Sequence, residues 1–366
     1  MNDSLPASPA APSSPVLPPV TAILIARNDR TTIEAALQSI AAQSYPLGLD
    51  IIVSVGPNID GTSQFIEYAA SLNPRLTVIE TRSTSVVIGL NEAIAAARSS
   101  LIIRVDPRGE LPVDYTRRAV EAMVRTDAAA LVGRTTPVGE TAFERAVARV
   151  FTHRYGLAAD PLKQADGAGP TNIPEDQVIR RRMFIEAGLF DEEIRHGQTW
   201  ELNARLREAG HQIAFVPELE VTYRPPSRVV DLTRSSFAEG LWRGEFARAF
   251  PEQKQLRFVL PPAVVIGTIL GFVLGAGGLF GLVAGAIGVA AVISWILFAL
   301  LLVPIVYLVG VVVLGVVAAS RLDLRTGAWF ALALPLLHYS WGFGYLAGFF
   351  NLEGAADTVI VNLDQA

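Results

Sequence analysis

Acids and arginines stand side by side at two places in this 366-residue chain, in Ala26-Arg27-Asn28-Asp29 and in Asp106-Pro107-Arg108. A carboxylate can hold a cation or accept a proton. A guanidinium pairs bidentately with phosphate and cannot ligate a cation. Asp106 closes an apolar run ahead of a proline, a position where an acid needs a partner. Glu110 lies four residues on from Asp106, and Glu201 sits in a third polar group, Gln198-Thr199-Trp200-Glu201. With no cysteine and only four scattered histidines, the chain offers neither thiol chemistry nor a zinc site.

These residues sit at the ends of elements that the pattern of apolar residues predicts. Val20–Ala26 reads as a buried strand. Thr31 to Glu34 then reads as a capping box opening a helix that runs to Pro46. Apolar runs at Asp50–Val55, Leu76–Ile79 and Leu101–Val105 alternate with helical segments at Thr62–Ser71 and Val87–Ala97. Such alternation predicts an α/β domain with a mostly parallel sheet and helices on both faces. Ligands of such sheets lie at the carboxyl ends of the strands. Those ends are Ala26 to Asp29, Gly56-Pro57-Asn58 and Asp106 to Arg108, so the three should converge on one crevice.

Charge divides the chain. Of its acidic and basic residues, 59 precede Phe258 and six follow, and no charged residue lies between Phe258 and Ser320. The mean hydropathy of +0.38 belongs to that distal part. A bilayer span needs about 20 apolar residues. Arg248, Lys254 and Arg257 flank the run on one side, and Arg321 and Arg325 on the other. Basic flanks favour the cytoplasm, which predicts two spans in the run, turning in Gly275–Gly288. Gly327–Phe350 predicts a third, with the acidic C-terminus outside. Residues 1–19, rich in proline, read as a disordered tail. Residues 228–257, with interleaved aromatic and basic side chains, read as helices on the membrane surface. Gly169 to Asn172 read as a loop. His338 is an ionisable group within a span. A net charge of −5 argues against nucleic acid as a partner.

ILIARNDRTTIEAALQSIAAQSYP followed by DIIVSVGPNIDGT resembles the opening of family-2 glycosyltransferases, and GLNEAIAAARSSLIIRVDP and QTWELNARLREAGHQIAFVPELEVTYRP are similar to that family's third helix, Asp-bearing strand and acceptor-side helix. The resemblance is to the bacterial membrane-anchored group that makes succinoglycan-like polymers. It implies a GT-A nucleotide-diphospho-sugar transferase domain over residues 20–227, about three transmembrane helices over 258–350, and a short extracytoplasmic tail over 351–366. It also implies an inverting transfer from a nucleotide-sugar donor to a lipid-linked or cell-surface polysaccharide acceptor, on a multi-pass membrane protein with its catalytic domain in the cytoplasm among membrane lipids.

Residue by residue, the resemblance implies nucleotide contacts from Ala26, Arg27, Asp29, Asn91 and Arg108. It makes Asp106 both a catalytic residue and the ligand of a divalent cation, Mg2+ or Mn2+. Three expected acids are missing. Val55 stands at the nucleobase position, Arg108 at the second metal ligand and Thr199 at the general base. Arg108 argues against metal dependence and could neutralise diphosphate directly. Glu201 is the substitute base if the helix starts late enough. The same departures fit an alternative, a catalytically degenerate transferase that scaffolds a polysaccharide assembly complex.

Overall fold

The computed structural model describes residues 17–156, 169–170, 177–194, 197–249 and 256–352. Most of the proline-rich tail, Thr171-Asn172 and all but the first two residues of the 351–366 tail lie outside the described residues.

The predicted parallel unit is present. Strands β1 (Val20–Ala26), β2 (Asp50–Val55), β3 (Leu76–Glu80) and β4 (Leu101–Arg104) pair in parallel in the order β3-β2-β1-β4. Beyond β4 the sheet becomes mixed. β8 (Gln177–Arg180) runs antiparallel between β4 and β6 (Ala130–Pro137). β9 (Ile213–Tyr223) runs parallel to β6. β5 (Gly109–Glu110) and β7 (Gly169–Pro170) pair antiparallel with β9.

Alternate residues of β1 serve opposite faces, as the two-residue period requires. Ala22 and Leu24 join one core with Ile33, Ile66, Tyr115 and Met123, from helices α1 (Ile33–Ala41), α2 (Thr62–Leu72) and α4 (Tyr115–Thr126). Ile23 joins the other with Leu90, Phe184 and Leu202, from α3 (Val86–Ala96), α6 (Arg181–Glu186) and α7 (Gln198–Glu208). The capping box predicted at Thr31 does not form. The first amides of α1, at Thr32 and Ile33, donate instead to the Asp29 carbonyl. A capping box does form at Thr141 and Glu144, opening α5 (Ala142–Thr152).

Helix α8 (Val229–Ala249) spans most of the segment expected at the membrane surface. Ser236, Gly240, Leu241, Trp242 and Gly244 of this helix are buried against protein. Most of that surface meets α12 (Leu324–Phe349). Gly240 and Gly244 lie on the Trp341 and Tyr345 carbonyls, and Gly344 and Gly348 lie on the Phe237 and Leu241 carbonyls. A Cβ at any of the four would overlap backbone, so only glycine lets these helices touch.

The apolar tail forms α9 (Leu260–Val283), α10 (Gly288–Ala299), α11 (Leu302–Arg321) and α12. Among the described residues, two stretches are long and apolar enough to cross a membrane, Leu260–Val283 and Gly288–Arg321. Both are largely uncovered by protein; Ile296 is 62% exposed and Val306 67%. Helix α12, the expected third span, is not among them. It lies along α5 and α8, burying Phe330, Leu334, Leu337 and Trp341. The turn between the two stretches is also narrower than expected. Gly275, Gly278 and Gly281 are helical and face α10 and its junction with α11, and the reversal falls at Gly285–Ile287.

Both ends of this helical hairpin return to the α/β domain. At the start of α9, Gly342 of α12 leaves no room for a Cβ beside the Pro261 carbonyl. At the end of α11, Asp323 caps α12 and accepts a 3.2 Å ion pair from Arg145 of α5. The Thr326 hydroxyl and amide and then Arg145 hold the Asp323 carboxyl down at about 2. His338 bridges the same layers. Its Nε2 donates to the Tyr155 carbonyl at 2.7 Å, which leaves Nδ1 to accept from the Tyr307 hydroxyl at 3.1 Å.

Candidate active site

The chain leaves β1 for β2 and β3 on one side and returns to β4 on the other. The carboxyl ends of β1 and β4 therefore splay apart and open a crevice. This crevice is lined by Ile25, Arg27 and Asp29 from β1 and its turn, by Arg104, Asp106 and Arg108 from β4 and its turn, and by Tyr223 from the end of β9. Val86 and Leu90 of α3 form an apolar wall. Four of the expected residues, Arg27, Asp29, Asp106 and Arg108, are brought together here.

Backbone bonds fix each turn. The Arg27 amide donates to Asp29 Oδ2 at 3.0 Å, folding that carboxylate back over the strand end. The Arg108 amide donates to Asp106 Oδ1 at 2.8 Å, and the Gly109 amide donates to the Asp106 carbonyl at 2.7 Å. The β1 and β2 turns are stitched together. Asp60 accepts from the Arg30 amide at 2.9 Å and from the Thr62 hydroxyl at 2.5 Å, and that hydroxyl accepts the Asp29 amide at 3.0 Å. The Ile59 amide donates to Asn28 Oδ1 at 3.0 Å. The loop after β2 thus acts as a brace, consistent with the missing acid at Val55.

Electrostatics couple the two acids. Burial raises the Asp29 carboxyl above the usual aspartate value, the charge of Asp106 adds to this, and the Arg27 amide and Arg108 partly oppose it. Asp60 moves the other way. Burial opposes its ionisation, but hydrogen bonds from Thr62 and Arg30 outweigh that and hold it below 3.8.

Other expected residues lie elsewhere. Asn91 is buried, but its amide is spent on the Phe190 backbone: Nδ2 donates to the carbonyl at 2.9 Å and Oδ1 accepts the amide at 3.1 Å. It pins the loop after α6 and does not line the crevice. Ala26 is fully buried, and its carbonyl accepts the Gly56 amide. Glu110 is ion-paired with Arg224 at 2.7 Å. Glu201 is clamped by Arg205 at 2.5 and 2.6 Å, and Arg205 also reaches the Leu189 carbonyl. The cap of α7 is Gly197, so the helix has begun before Thr199 and turns Glu201 about 200° away from it. A base role for Glu201 is not supported.

Thr199 does reach the crevice wall. Arg104 Nη1 donates to its hydroxyl at 2.5 Å, and Thr199 is 8% exposed. Behind it, Gly197 adopts φ 76° against the face of Trp242, which is stacked in turn under Arg243 at 3.9 Å. Trp200 packs edge-on to Phe246 at 4.4 Å. Trp242, 8% exposed, therefore backs the turn at Gly197. Arg104 and Tyr223 were missed from the sequence. The signal for Arg104 was a charge at the end of an otherwise apolar strand; Tyr223 carried none.

Among the described residues no group of three His, Cys, Asp or Glu could hold a metal ion. Two carboxylates face the crevice together with three guanidiniums. Two carboxylates are too few to hold a divalent cation on their own and would need diphosphate oxygens to complete its shell, while the guanidiniums suit an anion such as diphosphate.

Comparison with known proteins places this geometry. The sequence model described as Glycosyl transferase family 2 matches residues 21–188. The chain is 26% identical over 251 residues to the succinoglycan biosynthesis protein ExoA of Rhizobium meliloti (strain 1021), covering 67% of this chain and 76% of that one. Among solved structures, the mannosyltransferase PcManGT from Pyrobaculum calidifontis, in complex with GDP-Man and Mn2+, superposes with a TM-score of 0.53 at 19% identity, over 93% of this chain and 90% of that chain. The likeness to PcManGT is one of fold.

Proposed function

We propose that this protein, whose residues 21–188 match the sequence model described as Glycosyl transferase family 2, is a membrane-bound inverting glycosyltransferase of polysaccharide biosynthesis. It takes its sugar from a nucleotide-sugar donor at the β1–β4 crevice. The observation that carries this reading is the convergence of Arg27, Arg104 and Arg108 with Asp29 and Asp106 at the switch point of the sheet. The ExoA relative supports the pathway class and the exposed helical hairpin supports membrane anchoring.

Transfer breaks the bond between the anomeric carbon and the diphosphate, and charge builds up on the leaving oxygen. Arg108 and Arg27 receive it, in the place where a divalent cation would otherwise act. Asp106 orients Arg108 through its backbone amide, and Asp29 orders the first turn. The wall of Val86 and Leu90 excludes water on one side.

The test is transfer of labelled sugar from UDP-glucose or GDP-mannose by full-length protein in vesicles. The product should have the anomeric configuration opposite to the donor's, and Arg108→Ala should lower the rate at least tenfold. Retained configuration would contradict the inverting step. Nucleotide binding with no turnover under any acceptor would favour the scaffold alternative.

A further inference from the structure

Arg224 directly follows β9 and stands beside the crevice without forming its wall, which takes the neighbouring Tyr223. The Arg224 guanidinium is turned onto two carboxylates, Glu110 at 2.7 Å and Glu140 at 2.5 Å. A guanidinium answered by two acids has little charge left for an anion. Its value to the crevice lies in what it ties together.

Arg108 reaches the crevice from a turn held by its own peptide groups. Its amide donates to Asp106 Oδ1 at 2.8 Å, and its carbonyl accepts the Arg224 amide at 2.8 Å. The two residues after it, β5, pair with the end of β9, Gly109 with Tyr223 and Glu110 with Thr222. This ribbon is short and lies at the edge of the sheet. So short a pairing supplies few ladder bonds, and cross-strand side chains must add to them. Glu110 and Arg224 are diagonal neighbours across the ribbon, and their ion pair closes it next to Arg108. Glu140 extends the clamp to the loop before α5. There its amide donates to Glu144 Oε2 at 2.9 Å and its carbonyl accepts from Arg145 at 2.5 Å. Arg224 thus joins the turn after β4, the end of β9 and the loop before α5.

We infer that Arg224 is a positioning residue of the donor site: through Glu110 and the β5–β9 ribbon it fixes the turn from which Arg108 meets the diphosphate. This rests on the reading of the crevice as a nucleotide-sugar site. The pair is partly exposed, at 30% for Arg224 and 28% for Glu110, and such pairs are weak singly. One guanidinium shared by carboxylates from two segments restricts the turn before any ligand arrives. A site ordered in advance binds at lower cost. The effect falls on nucleotide affinity and passes through Arg108.

The test is calorimetry on full-length protein in lipid nanodiscs, with UDP or GDP, whichever binds. Glu110→Gln removes an acid beside an anion site and releases the Arg224 charge. Local charge alone would leave nucleotide affinity unchanged or raise it. Positioning predicts the opposite, a loss of about threefold or more. Arg224→Met should lose as much, and Arg224→Lys should restore part of it. Adding Arg224→Met to Arg108→Ala should cost less than about twofold further, because the two act as one unit. Unchanged or tighter binding by Glu110→Gln overturns the inference. So does an Arg224→Met loss that is as large without Arg108 as with it. Glutamine keeps the shape of glutamate, so the Glu110→Gln result decides even where Arg224→Met fails to fold. If neither nucleotide binds the natural protein, the donor-site reading itself falls, and the inference with it.

Discussion

At the scale of single residues, arginine and threonine stand at or beside the crevice at positions where the family resemblance implies acids. Arg108 should matter most for the donor. Its removal deletes charged hydrogen bonds worth about 1.5–3 kcal/mol, so Arg108→Ala should weaken nucleoside diphosphate binding roughly tenfold to a hundredfold by calorimetry. Asp60 makes a different prediction, because it braces the turns and contacts no ligand. Its carboxyl is held below 3.8 in the fold, so its stabilising effect is present above that value and is lost as pH falls through the lowered value. Asp60→Ala should therefore cost about 1 kcal/mol near neutral pH, and the difference in Tm from the natural protein should shrink as pH falls through the lowered value. The convergence of the strand ends was legible here: turns at strand ends announce themselves by composition, and Arg27, Asp29, Asp106 and Arg108, read from two of them, line one crevice. Asn91 and Glu201 were misplaced because a polar residue on a helix looks the same in sequence whether it meets a ligand, a backbone or an arginine. Only the contacts with Phe190 and Arg205 decide.

At the scale of elements, apolar periodicity was enough for β1 to β4 and the helices between them. The insertion of β8 between β4 and β6 could not be read, because strand order is set by pairing partners distant in sequence. The glycines of the distal part were misread for a related reason. A glycine in an apolar helix can mark a turn or a close approach, and Gly275, Gly278 and Gly344 mark approaches. Gly344→Leu should therefore separate α12 from α8 and lower stability by about 3 kcal/mol or more, at the upper end of ordinary overpacking. Gly310 has open space around it, so Gly310→Leu should leave Tm unchanged. Similar losses from both variants in a thermal melt would remove the argument that the α8–α12 contact depends on glycine.

At the scale of the whole molecule, the charge split located the membrane part but not its topology. Hydropathy counted three spans because α12 is long and mostly apolar. Its apolar residues are instead used up on α5 and α8. If the two apolar stretches cross a bilayer, both ends of the hairpin lie on the side of the α/β domain, in keeping with the Arg145–Asp323 pair. The chain has no cysteine, so single cysteines can report sidedness. In sealed vesicles Leu352→Cys and Glu121→Cys should react from one side with a membrane-impermeant reagent, and Ala284→Cys from the other. Leu352→Cys reacting together with Ala284→Cys would restore the third span.

The central claim is that arginines at the β1–β4 crevice bind a nucleoside diphosphate without a divalent cation. It is tested most directly by titrating the full-length protein in nanodiscs with UDP and with GDP, once with Mn2+ and once with EDTA. One of the two should bind with the same affinity, within about twofold, under both conditions. Binding that appears only with Mn2+, or no binding of either nucleotide, would contradict the claim.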